Sequence, residues 1–132
     1  MRRFAIMLLL CTFAVQSSVA QKSGGQDVFV PICKYMQTGE YSNLSAWFAD
    51  NMELDLLGSV SNCSRNQARL IMKNFFDTYT PRRFNIIHKG SSSPTKYAVG
   101  SLEAGGEKFR IILLVKPVNN KDYIQQLKIE KE

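Results

Sequence analysis

The chain has 132 residues, 17 Lys and Arg against 11 Asp and Glu, a net charge of +6 and one histidine. That length suits one domain with a single core. The basic excess is scattered, with only Arg82-Arg83 paired after the first residues. It lacks the dense stripe with aromatic platforms that a nucleic-acid groove needs, so no nucleic acid is expected. One histidine and no two cysteines at ligand spacing argue against a metal centre. There is no phosphate loop, G-x-G-x-x-G or G-x-S-x-G segment, so no cofactor is expected.

Residues 1–20 read as a signal peptide. Arg2 and Arg3 form a charged start, Phe4 to Leu10 an apolar run that Cys11 to Val15 extends, and Ser18-Val19-Ala20 a small-x-small cleavage site. The run is short for a membrane-spanning helix. A buried N-terminal helix and a lipoprotein site at Cys11 are the alternatives. The predicted address is therefore exported, periplasmic or extracellular. Cleavage leaves Cys33 and Cys63, which form one disulfide or stand as two buried thiols.

Residues 21–27 are a polar, flexible lead, and residues 28–132 the single domain. Val28, Ile32, Tyr35 and Met36 recur at helical spacing after Asp27, a capping residue, and Gly39 stops that helix. A second short helix is expected over residues 41–49, with Leu44, Trp47 and Phe48 on one side. Met52 to Leu56 alternates with period two and reads as a strand. Residues 59–63 read as a loop. Ser64 and Gln67 make a capping box, and the helix over 64–79 gathers Ala68, Ile71, Met72, Phe75, Phe76 and Tyr79 on one face. Pro81 ends it.

From Phe84 the period is two. Strands are expected over 84–89, 96–103, 108–116 and 123–130, with a tight hairpin at Gly105-Gly106. The apolar run Phe109 to Val115 is nearly unbroken, so that strand is expected to be covered in part on both faces. The order helix, helix, strand, helix, four strands predicts an α+β sandwich, with a curved antiparallel sheet packed on N-terminal helices.

This order resembles the nuclear transport factor 2-like fold, a cone-shaped, cystatin-like α+β architecture. At residue level the chain is similar to exported Bacteroidetes proteins of domain-of-unknown-function family 4783. Phe75-Phe76 with Tyr79 and Pro81, then Phe84-Asn85-Ile86-Ile87-His88-Lys89-Gly90-Ser91, carry the resemblance. Tyr97 to Leu102, Gly106 to Arg110 and Ile124 to Glu130 continue it. The resemblance implies the fold and no activity.

His88, the lone histidine, shares a strand face with Phe84 and Ile86, which aims it inward, where an imidazole could move a proton. Asp55 could orient it, although alternation leaves open whether the two share a sheet face. Both are weak catalytic candidates, and no catalytic residue is assigned. Tyr97 and Arg110 could anchor a polar ligand, and Arg82 an anion. Tyr79, Phe84, Tyr97 and Phe109 read as core, or as the lining of an apolar pocket. The leading expectation is a non-enzymatic binding or interaction domain, holding a small apolar or anionic ligand or a protein partner. A small acid–base enzyme using His88 (isomerase or dehydratase type) and a structural or assembly protein are the alternatives. Strand edges that need covering also predict a homodimer.

Overall fold

The computed structural model describes residues 27–132, so the expected signal peptide and most of the flexible lead lie outside the described residues. The element order is α1 (Phe29–Thr38), α2 (Tyr41–Ser45), β1 (Phe48–Leu56), β2 (Ser59–Ser64) and α3 (Arg65–Thr78), then β3 (Pro81–Ser92), β4 (Thr95–Ala104), β5 (Glu107–Val118) and β6 (Lys121–Lys131). Among the described residues no helix is long and apolar enough to cross a membrane.

Local chemistry explains most boundaries. The N–H of Phe29 donates to Asp27 Oδ1 at 2.9 Å, which satisfies one of the free donors of the first turn of α1. Gly39 closes that helix at φ +73°, a left-handed conformation that costs glycine little. The capping box of α3 is reciprocal. Gln67 N–H donates to Ser64 Oγ and Ser64 N–H donates to Gln67 Oε1. Its buried residues are Ala68, Met72, Phe75 and Phe76, the face the sequence assigned to it.

Two early boundaries differ from the sequence reading. The second helix stops at Ser45, and Phe48 already begins β1, where it pairs with Ile124. Residues 59–64 form a strand, not a loop: β2 pairs antiparallel with β1 from Leu56↔Ser59 to Asn51↔Ser64. Leu57-Gly58 makes its turn, with both residues at positive φ.

The six strands form one curved, open sheet in the order β2-β1-β6-β5-β4-β3. β3 to β6 are an antiparallel meander. The β1–β6 pair is parallel, so the sheet is mixed rather than wholly antiparallel. The three helices cover one face. That face carries Ala98, Leu102, Phe109, Ile111, Leu113 and Val115, all at most 1% exposed, and meets Ile32, Met36, Leu44, Met72 and Phe75 of the helices. Gly100 has a steric reason. A Cβ there would stand 2.5 Å from the Phe84 ring, which therefore lies directly on the strand backbone.

α1 also shields the outer edge of β3. Gln37 Oε1 accepts the Phe84 N–H at 3.4 Å, and the Cys33 thiol points at the Phe84 carbonyl at 3.7 Å. A covered edge cannot template further strand pairing.

Candidate functional site

The cone interior is filled. Phe84 and Phe109 are 1% and 0% exposed. Phe109 packs edge-on against Phe75 at 5.2 Å and Tyr79 at 5.0 Å between ring centroids. Tyr79 is a half-buried core residue at the end of α3, in contact with Phe75 and Phe109. It also lines a shallow surface cleft with Leu56, Ile71 and Phe75.

His88 does not point into the cone. The β3–β4 register runs Phe84↔Leu102 and Ile86↔Gly100, then shifts to His88↔Val99. Ile87 is the extra residue of a bulge, and one extra residue turns every later side chain to the opposite face. Phe84 and Ile86 therefore face the helices, while His88 is exposed on the other side, 5.8 Å from the Tyr97 ring. Lys89 regains the helix side and pairs with Asp27.

Asp55 does share a face with His88. The registers Asp55↔Lys128, Lys128↔Ile112, Ile112↔Val99 and Val99↔His88 place them in one row across the sheet. Four strand spacings separate them, about 19 Å at about 4.8 Å each. No proton relay spans that distance directly. Asp55 instead uses Oδ1 to accept the Gly58 N–H at 3.2 Å in the β1–β2 turn.

Tyr97 and Arg110 lie on the same outer face. Tyr97 is half-buried beside Leu114, and its ring covers Gly90 on the neighbouring strand. Arg110 is exposed between Ser101 and Glu130. Arg82 is exposed at the start of β3, away from this group. The structure thus gathers His88, Tyr97, Arg110 and Asp55 on one sheet face, and leaves Tyr79 and Arg82 elsewhere.

The centre of that face is apolar. Tyr97, Val99, Ile112 and Leu114 are half-buried neighbours on β4 and β5. Around them stand Glu53, Asp55, Lys128, Glu130, Arg110 and His88. Gln126 Nε2 donates to Glu53 Oε2 at 2.8 Å within this rim. Ile112 and Leu114 were not singled out from the sequence. Their signal was the unbroken run Phe109 to Val115, in which alternate residues supply the core and this outer face.

A polar cleft of about 520 Å³ lies at one end of the sheet. Its walls come from β1, the start of α3 and the β5–β6 hairpin, and Arg65 and Tyr123 face each other across 5.8 Å. Neither residue carried a motif that sequence reading could have used.

Cys33 and Cys63 are both free thiols, so the disulfide alternative is not realised. Burial raises both thiols above their ordinary pKa, a smaller opposing effect at Cys63 coming from its hydrogen bond with Ser61. Both stay protonated and poorly nucleophilic near neutral pH. Among the described residues no group of three His, Cys, Asp or Glu could hold a metal ion.

The sequence model of the family described as Domain of unknown function (DUF4783) matches residues 29–130. A crystal structure of a DUF4783 family protein from Bacteroides ovatus ATCC 8483 is similar, with a TM-score of 0.78, 26% identity and coverage of 82% of this chain and 98% of that one. One from Bacteroides uniformis ATCC 8492 gives a TM-score of 0.77 at 23% identity, covering 80% and 98%. An NTF2-like protein of unknown function from Cytophaga hutchinsonii ATCC 33406 shares the fold at 8% identity, with a TM-score of 0.60 and coverage of 80% and 88%. No curated protein matches.

Proposed function

The chain belongs to the DUF4783 family and has its nuclear transport factor 2-like fold, and from that premise we propose that it is an exported, non-enzymatic interaction domain working through its outer sheet face. The observation that carries this reading is the division of labour between the two faces. The concave face is packed by its own side chains, Phe84 and Phe109 among them. The outer face has an apolar centre and a charged rim, the anatomy of a protein interface.

The occupant proposed is a second copy of the chain. The rim carries both signs, with Glu53, Asp55, Lys128 and Glu130 making a net negative end on β1 and β6, and Arg110 a positive charge on β5. A two-fold axis through the centre would bring opposite signs together. The face spans about 24 Å across six strands and about 33 Å along them, on the order of 800 Å². That equals one partner's share of a standard interface.

Sedimentation velocity from micromolar to submillimolar concentration tests it. The wild-type protein should pass from monomer to dimer, while Leu114→Asp and Val99→Lys remain monomeric with unchanged circular dichroism. A wild-type protein that stays monomeric throughout, or variants that dimerise equally well, would overturn the proposal.

A further inference from the structure

The parallel junction of β1 and β6 is not continuous. Phe48 pairs with Ile124 and Glu53 with Gln126, so Ala49 to Met52 have no partner on β6, where Gln125 alone intervenes. The same point is a bulge in the β5–β6 ladder, between Leu114 and Val115. The sheet therefore parts here. Parted strands leave backbone polar groups unused by the ladder, and bulges are common beside binding sites. The 520 Å³ cleft lies in this gap, within the size range of small-molecule sites.

Two contacts orient Arg65 in the cleft. Arg65 Nε donates to the Phe48 carbonyl at 2.9 Å, and Nη2 pairs with Asp50 Oδ1 at 2.9 Å. Two of five guanidinium donors are thus spent, and the rest remain available. Lys121 stands over the Tyr123 ring, its Nζ 6.0 Å from the centroid, and has no carboxylate within 4.0 Å among the described residues. Asp50 balances Arg65, so Lys121 leaves the cleft with one net positive charge. Asn51, Asn119 and Gln125 add three amides, each able to donate and accept. Asn119 is held at φ +53° in the Asn119-Asn120 turn, which fixes its backbone at the rim.

Amides that both donate and accept match hydroxyl groups, and an uncompensated ammonium matches an anion. We infer that this cleft binds a small polyhydroxylated carboxylate of sugar-acid size. The carboxylate would sit at Lys121 and the hydroxyls among the amides. This site shares no residue with the apolar centre of the outer face, so the glucuronate test reads it separately from the test of dimerisation.

The test uses D-glucuronate as the probe, with D-glucose and acetate as partial probes, followed by amide NMR of the purified protein at low ionic strength. Glucuronate should shift amides of residues 49–51 and 119–125. Glucose and acetate should each bind at least tenfold more weakly. Lys121→Gln, an exposed substitution that leaves the fold intact, should weaken glucuronate binding by about tenfold. No shift of those amides at tens of millimolar glucuronate would overturn the inference. So would acetate binding as well as glucuronate, which reports a bare charge contact, or Lys121→Gln binding undiminished.

Discussion

Replacing Phe109 by alanine measures whether the cone is filled or hollow. Phe109 is fully buried and packs against Phe75 and Tyr79 at 5.2 and 5.0 Å. Truncating such a ring costs about 3–5 kcal/mol, from lost transfer energy and the cavity left behind. The two edge-on ring contacts, about 0.5–1.5 kcal/mol each, push the value to the upper half of that range. A domain near 100 residues loses roughly 4–5 °C of Tm per kcal/mol, so Phe109→Ala should melt roughly 16–25 °C below wild type. Phe109→Leu, which keeps most of the volume, should cost under about 1.5 kcal/mol. Thermal and urea unfolding, followed by circular dichroism, give both numbers. If the ring lined a solvated pocket, its removal would only widen a wet space. A fall of less than about 5 °C for the alanine variant, with the native spectrum retained, would refute a packed interior and with it the outer-face reading of function.

Two further outcomes rest on named contacts. Ser64→Ala removes the hydrogen bond to Gln67 N–H and frees its reciprocal partner. It should lower unfolding free energy by about 1 kcal/mol in urea titration. At Asp27, partial burial alone would raise the carboxyl, but the hydrogen bonds from Lys89 and Phe29 N–H and the charges of Lys89 and Lys96 outweigh it and hold it below its ordinary value. A depressed folded-state pKa stabilises the protein above the unfolded value and is lost as pH falls through the folded one. The Asp27→Asn variant should therefore be less stable than wild type at pH 7, and the gap should close below about pH 4. A gap that is constant with pH would refute the ion pair's contribution.

The fold was legible wherever the signal was local. The α3 capping box, its apolar face, the Gly105-Gly106 hairpin and the alternation after Phe84 all rest on neighbours in sequence. β2 was not legible, because Ser59-Val60-Ser61-Asn62-Cys63-Ser64 holds few strand formers and is extended by its pairing with β1. Trp47-Phe48 read as the end of a helix because an apolar pair fits either period; the contact with Ile124, far along the chain, decides for strand. The direction of His88 turned on one residue. Alternation put His88 inside with Phe84 and Ile86, and the bulge at Ile87 put it outside. A bulge adds no residue type that marks it, so a face assigned by counting in twos survives only as far as the next irregularity. The cleft was hidden for a related reason. Arg65, Lys121 and Tyr123 are ordinary surface residues until the parting of β1 and β6 brings them together.

The strand order has a consequence for how the chain acquires its shape. β6 is the last strand in sequence yet third in the sheet, wedged between β1 and β5. The link from Glu53 to Gln126 joins residues 73 apart. Closing so long a loop is an entropic cost met only when the distant partner arrives, and topologies of this kind fold slowly. As the chain emerges from its N-terminal end, β1 and β2 can pair only with each other, and a lone two-stranded hairpin is marginal in water. The edge of β1 that will receive β6 stays open until residues 121–131 appear. Those eleven residues act as a keystone rather than a tail. Until they are set, the early half of the domain has an unsatisfied strand edge.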